Sequence, residues 1–152
     1  MASASTAIHR MVQRCRDGDY PPMVARLESG WVVMGERQPF LGYCLLLPDP
    51  VVDHLNALGA DDLARFLADM AVAGRAVLEC TAATRINYAM FGNVEPALHA
   101  HVFPRHASEP VATRTAHPWA VDWNLAPEYS DTAHGELKSR IAARLKELAA
   151  RA

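Results

Sequence analysis

The segment Leu98-His99-Ala100-His101-Val102-Phe103-Pro104-Arg105 decides how this chain is read. It predicts a strand over Leu98–Phe103, and side chains two residues apart along a strand share a face. His99, His101 and Phe103 therefore fall on one side, and Leu98, Ala100 and Val102 on the other. One face is suited to burial, while the other presents two neighbouring imidazoles.

The elements around this strand follow from periodicity and punctuation. Arg85–Phe91 predicts the preceding strand, and Gly92–Pro96 a tight connection, which makes the two an antiparallel hairpin. Asp61 or Asp62 opens the longest helix, with Leu63, Phe66, Leu67, Met70, Val77 and Leu78 as its apolar stripe. Gly42-Tyr43-Cys44-Leu45-Leu46-Leu47 is apolar on both faces, as a central strand would be, and Pro48 stops it. Two short strands precede it near Val24–Leu27 and Trp31–Met34, parted by Ser29-Gly30, and Gly35–Pro39 is a turn. The first helix is capped by Ser5 or Thr6, carries Ile8, Met11, Val12 and Cys15 on one stripe, and ends at Gly18 before Pro21-Pro22. Beyond Pro110 the composition is that of a loop, until a last helix begins near Thr132 with Leu137, Ile141, Leu145 and Leu148 on one face. Strands grouped around one long helix, without regular alternation, predict an α+β fold. It comprises an antiparallel sheet of about five strands, one long helix packed on it, and N- and C-terminal helices.

Bulk properties limit the function classes. At 152 residues, 51% hydrophobic and 21% charged, the expectation is a single domain spanning residues 1–152. The motif-bearing core covers about residues 20–106, and an extension with a helix covers about 107–152. A net charge of −2 argues against duplex nucleic acid as the main partner, while a small anionic ligand needs only a few local donors. Cys15, Cys44 and Cys80 are dispersed, without a C-x-x-C pair, as expected of reduced thiols in the cytoplasm. No stretch is apolar enough to suggest a membrane span, and the first residues lack the pattern of a signal peptide.

By itself the H-x-H pair admits three readings. The two histidines can be ordinary strand residues bonded to their neighbours. They can supply two ligands to a metal, the third coming from His54, His106, His117, Glu95 or Glu109, none of which sits at a distinctive spacing. Or His99 can act as a nucleophile on phosphorus, with His101 and the Gly92-Asn93 loop serving the phosphate oxygens.

From about Gly42 to Arg105 the chain resembles the histidine triad (HIT) superfamily. The segments that carry the resemblance are Gly42–Pro48, the helix Asp61–Glu79, Ile86-Asn87-Tyr88, Gly92-Asn93, and the histidine strand closed by Pro104-Arg105. The family pattern is Gly-Gln, a few residues, then three histidines alternating with apolar residues, often followed by Pro-Arg. Anchored on Pro104-Arg105, His101 falls on the third histidine and His99 on the middle one, which is the family's nucleophile. Asn93 stands where the family usually has Gln, and Ala97 stands at the first triad position.

The closest branch in character handles dinucleoside polyphosphates, as the fragile-histidine-triad-like hydrolases do. The resemblance implies cleavage at an α-phosphate of such compounds, or of related adenylylated compounds, through a nucleotidyl-histidine. His99 and His101 would be catalytic, with Asn93, Asn87, Gly92 and Arg105 binding substrate. It implies a homodimer and no tightly bound cofactor, Mg2+ entering, where it enters at all, with the substrate. A nucleotide-binding regulator with weak catalysis is the main alternative, kept open by Ala97, and an H-x-H metalloenzyme is the other. Trp31 and Phe40 are candidates either to flank a base or to fill the core. Trp119 and Trp123 would lock the C-terminal segment onto the sheet or cap the rim of the site.

Overall fold

Capping chemistry starts the first helix where its sequence signals place it. In the computed structural model, which describes residues 5–151, the Thr6 hydroxyl accepts from the His9 amide while the His9 ring turns back on Thr6. Helix α1 (Ala7–Asp17) ends at Gly18, whose φ of 70° is the left-handed conformation that glycine adopts without strain. Strands β1 (Met23–Arg26), β2 (Gly30–Met34) and β3 (Cys44–Pro48) follow, then helix α2 (Ala60–Thr81). Strands β4 (Arg85–Ala89) and β5 (Ala100–Arg105) lead to the short helix α3 (Val111–Arg114), two 3-10 turns at Pro118–Ala120 and Trp123–Leu125, and helix α4 (Asp131–Ala149). The five strands form one antiparallel sheet in the order β1-β2-β3-β5-β4. The architecture is the α+β fold expected from the sequence.

The two faces of the sheet are covered differently. On one, Val32, Met34, Cys44, Leu46, Ala100 and Val102 meet α2 and α4 in the main core. Ile141, Leu145 and Leu148 of α4 belong to that core, each worth about 1.5–3 kcal/mol of apolar burial. The C-terminal helix is thus part of the fold's foundation. On the other face, α1 lays Ile8, Val12 and Cys15 over Val33, Leu47 and Ala97. The segment after β5 brings Val121 and Trp123 onto Phe40, Tyr43 and Phe103. His101 stands on this second face, paired with Leu45 of β3 and Ala89 of β4. No described helix is long and apolar enough to cross a membrane.

Several boundaries differ from the sequence reading for identifiable reasons. The histidine strand begins at Ala100 and β4 ends at Ala89, so residues 90–99 form an open loop where a tight hairpin was expected. The backbone there is drawn off the sheet: the Leu98 amide donates to Val52 O at 2.8 Å, and the Ala97 amide to Glu95 O at 2.9 Å. Helix α2 starts from Gly59 without a side-chain cap, and Asp61 and Asp62 sit in its first turn, where they favour the helix dipole. Leu67, expected in its buried stripe, is exposed, and Ala73, Gly74 and Ala76 are buried in its place. A Cβ on Gly74 would lie 2.0 Å from the Tyr88 hydroxyl, so the close approach of α2 to β4 requires glycine.

Candidate functional site

Each of the paired histidines has its Nδ1 committed to a fixed partner. His99 Nδ1 lies 2.7 Å from the carbonyl oxygen of Ala97. A carbonyl only accepts, so His99 Nδ1 carries a proton, and in the neutral ring the Nε2 lone pair is left bare. His101 Nδ1 lies 2.6 Å from the Tyr43 hydroxyl. Tyr43 is buried and this is its hydroxyl's sole side-chain partner among the described residues, so the hydroxyl donates and His101 Nδ1 accepts. The neutral His101 ring then carries its proton on Nε2. The two imidazoles lie with centroids 4.8 Å apart and planes at 73°, and their partners assign them opposite tautomers.

Burial is the main force holding His101 neutral. Together with the neighbouring His99, it lowers the His101 pKa from 6.5 to about 4. Burial likewise pushes the Tyr43 phenol well above its ordinary range, keeping it protonated and able to donate.

Tyr43 is held in place by the turn before β3. Gln38 is buried and stitches that turn: its amide nitrogen donates to Gly35 O at 2.8 Å and Tyr43 O at 2.9 Å, and its oxygen accepts from the Gly42 amide at 3.0 Å. Gly35 is required for the approach, because a Cβ there would fall 2.2 Å from the Tyr43 ring. The ring stacks on Phe103 at 4.7 Å, completing an aromatic layer under His101.

A cleft of about 1290 Å³ opens onto both imidazoles along β4 and β5, with Asn87, Phe91, Asn93, Glu95 and Trp119 on its walls. Asn87 Oδ1 accepts from Arg105 Nη1 at 3.3 Å, which leaves the two N–H groups of its amide for the cleft. Asn93 is exposed on the wall of the cleft, and Gly92 borders a smaller hollow that His99 and His54 also line. Glu95 receives the first amides of α1, from Ala7 at 3.2 Å and Ile8 at 3.5 Å. Its burial works against ionisation, but hydrogen bonds from Thr6, Ile8 and Ala7 outweigh it and hold the carboxyl below its usual range.

Arg105, expected to bind substrate, lines the cleft but its guanidinium is engaged by protein partners. Its Nε and Nη2 hold Glu109, Nη1 reaches Asn87 and Ala116 O, and Nη2 also reaches Thr113 O. All five guanidinium N–H groups are thereby used. The buried guanidinium, over the Phe40 ring at 4.8 Å, fastens residues 109–116 and has no donor left for a phosphate. Phe40 belongs to the aromatic layer and Trp31 donates its indole N–H to Asp49 at 2.9 Å, so neither lines the cleft.

Among the described residues no group of three or more His, Cys, Asp or Glu side chains could hold a metal ion. Glu95 and Glu109 are engaged as above, and neither they nor His54, His106 or His117 form such a group with the H-x-H pair. The sequence reading missed Tyr43 and Gln38. Its only available signal for Tyr43 was an aromatic residue with a polar tip at the mouth of an otherwise aliphatic strand.

No protein-family model and no curated protein matches this chain. Solved structures do. A histidine triad protein from Sinorhizobium meliloti superposes with a TM-score of 0.71 at 19% identity, covering 87% of this chain and 93% of that one. A Hit-like protein involved in cell-cycle regulation from Bartonella henselae gives a TM-score of 0.72 at 15% identity, covering 95% and 99%. A hypothetical histidine triad nucleotide-binding protein from Sulfolobus tokodaii gives 0.71 at 14% identity, covering 91% and 93%. The chain has the fold of histidine triad proteins.

Proposed function

We propose that this protein is a nucleotide hydrolase or nucleotidyl transferase that works through a covalent intermediate on His99. The reading rests on one observation above the others: at the end of a single cleft His99 Nδ1 faces a carbonyl oxygen and His101 Nδ1 faces a hydroxyl, which assigns the two rings opposite tautomers. A nucleophile and a hydrogen-bond donor are what phosphoryl chemistry asks of two adjacent imidazoles. His99 Nε2 forms a bond to the α-phosphorus as the bond to the leaving group breaks, and the leaving group departs with the electron pair. His101 Nε2–H donates to a non-bridging oxygen. Water then attacks phosphorus, the P–N bond breaks, its electron pair returns to His99, and the water proton passes to solvent.

During the intermediate the His99 ring is cationic, with its Nδ1 proton still held by Ala97 O. The ionised Glu95, on the wall of the same cleft, favours that charge. Asn87 and Asn93 are the candidate donors to ribose and phosphate. Dinucleoside polyphosphates and adenylylated compounds are the substrate classes to test, with Mg2+ supplied only alongside the phosphates.

Wild type and His99→Ala assayed on diadenosine polyphosphates and nucleoside phosphoramidates decide the matter. Turnover by wild type, its loss by at least about 10³-fold in the variant, and a nucleotidyl adduct on His99 by mass spectrometry are expected. Full activity of His99→Ala would remove the mechanism. Saturable nucleotide binding without turnover would instead identify a nucleotide-binding regulator. Sedimentation of the same preparation tests the homodimer, at twice the 16.6 kDa protomer mass.

A further inference from the structure

We infer that Glu95 is a positioning residue for His99, taking His99 as the nucleophile of the reading above: it anchors on helix α1 the loop whose Ala97 carbonyl fixes the His99 ring. Residues 91–96 carry little else that could hold them in place. Phe91, Gly92, Asn93, Val94 and Pro96 are all exposed, Val94 at 98%. Glu95 is the exception. It is partly buried, and among the described residues its side chain is the only one from Phe91 to Pro96 that bonds another element. Its two carboxylate oxygens accept from the amides of Ala7 and Ile8, 88 and 87 positions away, at the end of α1 that favours a negative charge.

From that anchor a short, stiff path leads to the imidazole. Pro96 follows Glu95, and a proline fixes its own φ and restricts the residue before it to extended conformations. The Ala97 amide closes a three-residue turn around Pro96 by donating to Glu95 O at 2.9 Å. The next peptide is planar, with the Ala97 carbonyl and the Leu98 N–H on opposite edges. Its N–H donates to Val52 O at 2.8 Å, and its carbonyl accepts from His99 Nδ1 at 2.7 Å. A plane held at Val52 alone can swing about that bond, and the turn clamped through Glu95 removes the freedom. The carbonyl then sets both the tautomer of His99 and the direction in which its Nε2 faces.

Glu95 lines the cleft together with His99, yet it suits neither a substrate ligand nor a general base. Both oxygens are committed to amides, and the bonds that commit them keep the carboxyl ionised and below its usual range, which makes it a poor proton acceptor. A carboxylate also repels a phosphate. Its action on the nucleophile therefore runs through the loop.

Imidazole nitrogen NMR of the labelled full chain, joined to steady-state kinetics on a nucleoside phosphoramidate, tests the anchor. In wild type His99 should show a protonated Nδ1 and a bare Nε2. Glu95→Ala should blur that pattern toward a mixture of tautomers and lower kcat by roughly 10²-fold, the cost of a misplaced reacting group, with KM no higher. Glu95→Gln keeps one oxygen for the amides without the charge, so it should stand closer to wild type than Glu95→Ala in both readouts. Ile141→Val, which loosens the main core on the other face of the sheet, should change neither and separates positioning from stability at large. An unaltered His99 pattern in Glu95→Ala, a raised KM, or a Glu95→Gln variant as impaired as Glu95→Ala overturns the anchor. If the spectrum changes in Glu95→Ala while kcat does not, or if wild type turns nothing over, the anchor stands and the nucleophile reading fails.

Discussion

Ala97 is the residue that the sequence resemblance aligns with the first histidine of the triad, and its carbonyl oxygen is the atom that accepts from His99 Nδ1–H. A backbone carbonyl does not depend on the side chain behind it, so alanine does not forfeit that function. Ala97 is buried, in the cluster that holds Ile8 and Val12 of α1. Ala97→His should therefore lower stability by about 1–3 kcal/mol through overpacking and fail to raise kcat/KM, measured by thermal melting and steady-state assay. Tyr43→Phe leaves the His101 Nδ1 acceptor buried and unpaired, which costs about 1–3 kcal/mol. It should lower kcat by roughly 10-fold while leaving the protein folded, as circular dichroism would report. The histidines were legible because alternation along a strand is written in neighbouring residues. Tyr43 was not, since it lies 58 positions from His101 and reaches it only once β3 and β5 have paired.

Elements with their own period were also legible: the amphipathic helices α1 and α4, and the strands on which Cys44, Leu46, Ala100 and Val102 alternate toward the core. The connections were not. The loop 90–99 is shaped by its bond to Val52 and by Glu95 reaching α1, neither of which has a local sequence signature. Arg105 shows the same limit. Next to a pair of histidines its charge suggested a phosphate, but the three carbonyls and the carboxylate that claim it come together only when residues 106–117 fold over it. It acts as the fastener of the segment that carries Trp119. Arg105 and Glu109 side chains are 8% and 10% exposed, so Arg105→Met strands a buried carboxylate and should cost about 3–5 kcal/mol. Limited proteolysis should then cut between residues 106 and 130 well before the rest of the chain. Arg105→Met/Glu109→Gln should recover part of the stability, because no unpaired charge remains.

At the scale of the whole molecule, the aromatic layer and Trp119 of the C-terminal segment pack around His101, and the protein's stability should carry the signature of that neutral imidazole. Its pKa falls from 6.5 to about 4 on folding, with burial as the leading cause. Above pH 6.5 the ring is neutral in both native and unfolded chains, and no proton-linked difference arises. As pH drops from 6.5 toward 4, the unfolded chain takes up a proton that the native state refuses, so stability is lost across that window and levels off below it. The carboxyls of Glu95 and Glu109, held low in the native state, lose their contributions only further into the acid range. Between pH 7 and pH 5 the His101 share should come to about 1–2 kcal/mol, reduced for the ring's partial exposure to the cleft, or a few degrees of melting temperature. His101→Gln cannot titrate, so its melting temperature should fall less over the same interval. Equal falls in the two proteins would mean that His101 takes up protons as freely in the native state as in the unfolded one, and that the Tyr43 bond does not hold it neutral.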